Sequence, residues 1–442
     1  MFSDTIAAIS TPLQEGAISI IRISGEDALP IVNSIFSKDL SQKESHTITY
    51  GYIYDNDTLV DEVLVSVFRA PKTYTREDVV EINAHGGVFI TRKILGLLLQ
   101  RGARLARPGE FTQRAFYHGR IDLAQAEAVE ELIEANSDAS AQLAIEGVRG
   151  SIRALLEPLI DDLMDIIATI EVNIDYPEYE DVEELTFSKL LPKTNAWLEK
   201  IDQILVRAKS GQVAKNGIDT VILGQPNVGK SSLLNALLDE EKAIVTDIAG
   251  TTRDIVEGQI QVKGVRLNLI DTAGIREAKD TIEKIGIQKS EQMLEKAQLV
   301  LLVFDASKPL DEEDRRLLSL TKDKLRLCLY NKSDLVKKIP EEGIVICAKE
   351  KKIQSLLNAL EKLYEENVLS EKPLLSNERQ IGLLHLAKED MMRAKQAMEL
   401  ETEPDLIEID IQSAHDHLKE ILGEVSRDDL LDTLFSKFCL GK

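Results

Sequence analysis

Cysteine is scarce: Cys328, Cys347 and Cys439 are the only three in 442 residues. Their spacing fits no zinc motif, and an odd number leaves one thiol over under any pairing scheme. A disulfide framework is excluded, and a reducing compartment fits best. Long apolar runs are missing as well. No segment approaches the roughly 18 uninterrupted apolar residues of a membrane span. Met1-Phe2-Ser3-Asp4 lacks the basic start of a signal peptide, so no membrane insertion and a cytoplasmic location are expected. Positive charge is in deficit, with 53 Lys and Arg against 76 Asp and Glu and a net charge of −23. Long-range repulsion excludes indiscriminate binding to phosphate backbones, so any RNA contact must be local. One stretch runs against that balance: Arg92, Lys93, Arg101, Arg104, Arg107, Arg114 and Arg120 face only Glu110. It reads either as a solvated face of a β/α unit or as a place for phosphates.

What is present is enough apolar material, 43% of residues, for several cores in a chain too long for one. The texture changes along its length. Residues 1–118 alternate short β-type runs with turn residues, as in Ile18-Ser19-Ile20-Ile21-Arg22-Ile23, and predict an α+β domain. Residues 119–215 carry helical periodicity in Leu156, Leu159, Leu163, Ile167 and Ile170. Residues 216–370 alternate apolar strands with helices, the pattern of a parallel α/β sheet. Residues 371–442 return to helical spacing, with Ser426 and Asp429 placed to cap the last helix. The expected architecture is multidomain: an α+β domain, a helical domain in two halves, and an inserted Ras-like P-loop domain.

The chemistry is densest in the third segment. Gly224-Gln225-Pro226-Asn227-Val228-Gly229-Lys230-Ser231 fits G-x-x-x-x-G-K-S/T between an apolar strand and a helix that begins with Ser232. Its glycines turn backbone N–H groups of residues such as Val228 and Gly229 onto phosphates; Lys230 bridges them and Ser231 holds Mg2+. Asp271-Thr272-Ala273-Gly274 ends the next strand, where a carboxylate reaches the metal through water and a glycine amide senses the γ-phosphate. Asn331-Lys332-Ser333-Asp334 supplies base choice, because the Asp334 carboxylate accepts from both guanine N1–H and its exocyclic amine. Cys347-Ala348-Lys349 then offers a backbone amide to guanine O6. Between them Thr246-Asp247-Ile248-Ala249-Gly250-Thr251-Thr252-Arg253-Asp254 forms a switch-loop candidate, with Thr252 completing the Mg2+ sphere. The ligand expected is GTP. Ile275, directly after the Asp-Thr-Ala-Gly run, has no group to orient an attacking water, and Asp280 and Glu283 are the nearest carboxylates.

Taken with Asp4-Thr5-Ile6-Ala7-Ala8, Gly109-Glu110-Phe111-Thr112-Gln113-Arg114-Ala115-Phe116, Ile121-Asp122-Leu123-Ala124-Gln125-Ala126-Glu127-Ala128 and the closing Phe438-Cys439-Leu440-Gly441-Lys442, these motifs resemble the MnmE/TrmE family of tRNA wobble-uridine modification GTPases over essentially the whole chain. The resemblance implies an N-terminal folate-binding and homodimerising domain, with Arg22, Glu81 and Arg120 at the folate. It implies K+ held by Asn227, Thr246, Ile248 and Thr251, Glu283 organising water, and Arg253 and Asp254 in the conformational cycle of hydrolysis. It further implies 5,10-methylenetetrahydrofolate as carbon donor and a flavin-dependent partner, MnmG (GidA), in a heterotetramer or larger assembly acting on tRNA. FAD falls to that partner, since no G-x-G-x-x-G follows a strand here. Cys439 is formally at a C-a-a-X position, but Gly441 and Lys442 are wrong for prenylation. The family motif places it near the folate site, as nucleophile, acid/base or structural thiol. A regulatory GTPase switch in ribosome assembly is the alternative; folate binding separates the two.

Overall fold

The computed structural model describes residues 4–175, 187–240, 256–262, 265–270, 294, 296–336, 343–367, 375–425, 428–436, 438 and 441. It divides into two compact units, residues 1–134, 145–194 and 386–442 in one and residues 135–144 and 195–385 in the other.

In the first unit, six strands form one sheet in the order β3-β4-β5-β2-β1-β6, with β1 at Ile6–Ile9, β2 at Ile18–Ser24, β3 at Thr47–Asp55, β4 at Thr58–Phe68, β5 at Val79–His85 and β6 at Arg104–Leu105. Alternation decides which face is which. Ile21 and Ile23 of β2, Val63, Val65 and Val67 of β4, and Val80 and Ile82 of β5 are buried in one cluster with Ile94, Leu97 and Leu98 of the helix Val88–Gln100. Their neighbours at odd offset, Arg22 and Glu81 among them, therefore face the other way. Helices from early and late in the chain also meet in this unit: Pro404–Leu422 packs along Ser151–Asp175, with Ile407, Ile411, Ala414, Leu418 and Ile421 as its buried stripe.

In the second unit a six-stranded sheet has the order β12-β11-β10-β7-β9-β8: β7 Ile218–Leu223, β8 Val256–Val262, β9 Val265–Ile270, β10 Leu299–Asp305, β11 Leu325–Asn331 and β12 Ile344–Val345. All its pairings are parallel except β8 with β9. The central strand β10 is buried on both faces. Leu299, Leu301 and Val303 point into one apolar cluster, and Val300, Leu302 and Phe304 into the other. That two-sided burial is why its sequence reads as an unbroken apolar run.

The helix Glu110–Tyr117 carries a buried charge cluster. Arg114 has no exposed side-chain surface. Its Nη1 donates to the Asp4 carbonyl at 2.8 Å and to Glu77 Oε1 at 2.9 Å, and its Nη2 to Asp4 Oδ1 at 2.7 Å and Glu110 Oε1 at 3.3 Å. Glu110, also fully buried, accepts from Arg104 and from the Arg107 amide. Burial works to raise the Glu110 pKa, but the arginines outweigh it and hold it below the ordinary 4.5. Arg114→Ala would strand buried carboxylates at a cost of about 3 kcal/mol. Amides of β1 should then exchange with solvent roughly a hundredfold faster by hydrogen-exchange mass spectrometry; unchanged protection would refute a stabilising role. The sign with pH follows from the depressed Glu110 value. The contribution is complete above pH 4.5 and is lost as pH falls through the lower folded-state pKa, so β1 protection should drop on acidification.

Candidate functional site

Two constellations carry chemistry, one in each unit. In the first, antiparallel pairing sets Arg22 of β2 opposite Glu81 of β5, and Arg22 Nε donates to Glu81 Oε1 at 2.8 Å. Both lie on the face turned away from the apolar cluster. There they line a cavity of about 720 Å³ together with Arg120, Tyr74, Lys72 and Arg76. Arg120 stacks over the Tyr74 ring, 4.7 Å from guanidinium carbon to centroid, and its Nη1 donates to the Tyr74 carbonyl at 3.2 Å. Burial raises the Tyr74 pKa above 10.0, and its hydroxyl is in hydrogen-bond contact with Thr112 Oγ1 at 2.9 Å. The cavity thus combines three guanidinium groups, an ammonium group, a carboxylate and an aromatic face, which suits a flat heterocycle bearing carboxylates.

The Arg92–Arg120 stretch is not the single basic face, solvated or phosphate-facing, that its sequence offered. Arg114 is wholly inside the carboxylate cluster, Arg104 and Arg107 turn to Glu110, and Lys93 pairs with Asp55 at 3.4 Å. Arg120 belongs to the cavity. The physical reason is long-range: Asp4, Asp55 and Glu77, distant in sequence, supply the counter-charges.

The end of the chain reaches the same place. Phe438 packs with Phe435, Leu431, Leu123 and Ala126, and the Gly441 carbonyl accepts from Arg22 Nη1 and from Ser10 Oγ, each at 3.2 Å. Gly441 has φ +89, and a Cβ there would fall 2.4 Å from the Ile9 carbonyl oxygen. Only glycine allows this approach. Cys439, between these two anchors, lies outside the described residues.

In the second unit β7 runs into the loop 224–229 and the helix Lys230–Glu240. Asn227 is left-handed at φ 64. The Lys230 ammonium donates to the carbonyls of Gly224 at 2.7 Å and Gln225 at 2.8 Å, and burial lowers its pKa. Asn331, at the end of β11, joins two loops: its Nδ2 donates to the Val228 carbonyl and its Oδ1 accepts from the Ala348 amide, both at 2.9 Å. Gly229 leaves room for this bridge, since a Cβ there would meet Asn331 Nδ2 at 2.1 Å. Lys332, left-handed at φ 64, pairs with Asp305 at 2.7 Å. Burial opposes ionisation of Asp305, yet Lys332 and Ser307 outweigh it and hold its pKa at about 2. Asp334 is exposed on the short turn Ser333–Leu335. Asn227, Val228, Gly229, Lys230, Ser231, Ser232, Asn331, Lys332 and Asp334 are thus all placed around the ends of β7 and β11. Residues 246–254, 271–275, 280 and 283 and the helix-cap position 426 lie outside the described residues. Asp305, which stands opposite Asn331 in the β10–β11 register, and the Gly441 carbonyl were not foreseen; only the strand register reveals the first.

Gly441→Ala should release the closing segment from β1. Carboxypeptidase digestion of the folded protein should then remove the last residues several times faster, by about the factor of five that 1 kcal/mol represents. Equal rates would show that the tail is not held by this contact.

Among the described residues no helix is long and apolar enough to cross a membrane. The family model "GTP-binding protein TrmE N-terminus" matches residues 5–120, and "MnmE helical domain" matches residues 123–439. The tRNA modification GTPase MnmE of Streptococcus thermophilus is 49% identical over 449 residues, covering 99% of this chain and 98% of that protein. The protein of the same name from Lactococcus lactis subsp. cremoris is 49% identical with the same coverage. A crystal structure of Aquifex aeolicus Era bound to GDP·AlF4- overlaps 40% of this chain and 67% of that one, at 25% identity and a TM-score of 0.27, too low to add weight. On the two family matches and on identity sustained along its whole length, the chain belongs to the MnmE/TrmE family.

Proposed function

We propose that this protein is a GTP hydrolase of tRNA modification that, with a flavin-dependent partner of the MnmG (GidA) type, adds an aminomethyl-type group to C5 of the wobble uridine. The observation that carries the folate half of this reading is the convergence of Arg22, Glu81 and Arg120 on one cavity. Arg22 and Arg120 are suited to the glutamate carboxylates of 5,10-methylenetetrahydrofolate, Glu81 to the amide edge of the pterin, and Tyr74 to its ring face. The folate supplies the one-carbon unit when bound; these residues bind and orient it. Cys439, next in sequence to Phe438, acts near the folate in this reading. Ribosome-assembly switching gives no account of such a cavity.

The GTP half rests on the loop 224–231 and on the Asn331 bridge. The bridge fixes the phosphate loop and the segment 347–349 to one amide, so that phosphate and base are read by a connected set of groups. Asp334 reads the base, Ser231 and Thr252 hold Mg2+, and Asn227, Thr246, Ile248 and Thr251 hold K+ between paired G domains of a homodimer. K+ supplies the positive charge that an arginine finger provides elsewhere. Glu283 orients the attacking water, and Arg253 and Asp254 couple the loop to hydrolysis. FAD resides on the partner.

Calorimetric titration with 5-formyltetrahydrofolate should give saturable binding to the wild-type protein, weakened at least tenfold in Arg22→Ala because a charged hydrogen bond to a carboxylate contributes about 1.5–3 kcal/mol. Absence of wild-type binding would remove the one-carbon reading. Hydrolysis of GTP at equal ionic strength should be at least tenfold faster in K+ than in Na+, consistent with the usual contribution of a transition-state cation. Equal rates would remove the potassium assignment.

A further inference from the structure

The cavity around Arg22 and Glu81 carries more positive charge than a folate with one glutamate can balance. Four cationic side chains, Arg22, Lys72, Arg76 and Arg120, line it against one carboxylate, Glu81. Arg22 alone of the four pairs with that carboxylate, at 2.8 Å. Arg76 Nη1 donates to the His118 carbonyl at 2.7 Å and Arg120 Nη1 to the Tyr74 carbonyl at 3.2 Å, neutral acceptors that leave both charges uncompensated. Among the described residues no carboxylate pairs with Lys72, Arg76 or Arg120. In a chain of net charge −23, where Lys93, Arg104, Arg107 and Arg114 all find acids, three unpaired cations at one opening are an exception.

The loop that carries two of them is pinned from below. Thr73 and Thr75 are buried. Thr73 Oγ1 donates to the Glu77 carbonyl at 2.7 Å, Thr75 Oγ1 is in hydrogen-bond contact with Ser24 Oγ at 2.7 Å, and the Tyr74 hydroxyl is held by Thr112. Lys72 and Arg76, on either side of these anchors, stay exposed at the opening. Arg76 also holds a left-handed backbone, φ 61, which costs a residue with a Cβ and persists where the surrounding structure fixes it. The Arg22 and Glu81 side chains, by contrast, are only 20% exposed. The cavity therefore has a paired floor and an unpaired cationic mouth.

We propose that Lys72 and Arg76 bind γ-linked glutamates beyond the first, so that the donor this cavity takes is a folate with an oligoglutamate tail. This rests on the reading of the cavity as a folate site, in which Arg22 and Arg120 serve the first glutamate. A folate with one glutamate brings two carboxylates against an excess of three positive charges. Each further γ-linked glutamate adds one carboxylate, and the second closes the balance. The tail need not overcome the repulsion that the net charge of the chain exerts on a free polyanion, because the bound pterin end holds it at high effective concentration. A tRNA backbone has no such tether and needs its cations along a track; here they converge on one opening.

The test is calorimetric titration of the full chain with 5-formyltetrahydrofolate carrying one and three glutamates. The triglutamate should bind the wild-type protein about fivefold more tightly, the upper range of an exposed ion pair, and added salt should shrink that ratio. The double substitution Lys72→Gln with Arg76→Gln should bring the ratio below about twofold, whereas Lys72→Arg, which keeps the charge, should retain it. Equal wild-type affinities, or a ratio that survives the double substitution, overturn the inference. A double variant that keeps the ratio and instead loses affinity for tRNA in filter binding would give the mouth to phosphates and overturn it as well. Wild-type protein that binds neither folate would overturn the folate reading and this inference with it; monoglutamate binding without a triglutamate preference would overturn the inference only.

Discussion

Arg114 bears a full charge with no exposed surface, and much of the first unit is arranged to neutralise it. Asp4 stands two residues before β1, Glu77 in the segment before β5, and Glu110 on the same helix one turn earlier. Breaking such a cluster is more damaging than never having built it, because Glu77 would lose its arginine and Glu110 would be left buried with Arg104 and Arg107 alone. The consequence reaches the cavity. Glu77 also accepts from Ser24 Oγ at 2.7 Å, so it ties the wall containing Tyr74 and Arg76 to both the sheet and the arginine. The pocket keeps its shape because a charge behind it must be paired.

The two units solve the problem of placing polar groups differently. In the antiparallel sheet, a period of two sends isoleucines to one side and the Arg22–Glu81 pair to the other, so a functional pair is built in mid-strand. The parallel sheet has no such free side. With β10 buried on both faces, the polar residues of the candidate site appear where the strands stop: Asp305 at the end of β10, Asn331 at the end of β11, and the phosphate-type loop after β7. Ligand-binding groups at the carboxyl ends of parallel strands are the general outcome of that constraint.

Much of this was legible in the chain itself. The strand of Leu299 to Phe304 could be read because double burial leaves an unmistakable apolar run, and the loop 224–231 because glycine, lysine and serine stand at positions that backbone geometry demands. Arg22 and Glu81 were legible only through family resemblance; their contact depends on the β2–β5 register, which single-strand patterns do not encode. The stretch from Arg92 to Arg120 misled for a related reason. Local composition gave seven positive charges against one negative, while the compensating acids came from residues 4, 55 and 77. The contact of the Cys347 thiol with Asp334, 13 residues back, escaped notice because it depends on a turn that brings the two together.

The Gly441 carbonyl on Arg22 joins positions 419 residues apart. A ribosome adding about 5–20 residues per second needs tens of seconds to cover that distance. For most of that interval every strand of the sheet carrying Arg22 has already been synthesised, while the group that completes its hydrogen bonding does not yet exist. The hydrogen bonding of Arg22 is therefore completed only after synthesis of the entire second unit, and a chain halted in between carries Arg22 and Glu81 without the Gly441 carbonyl.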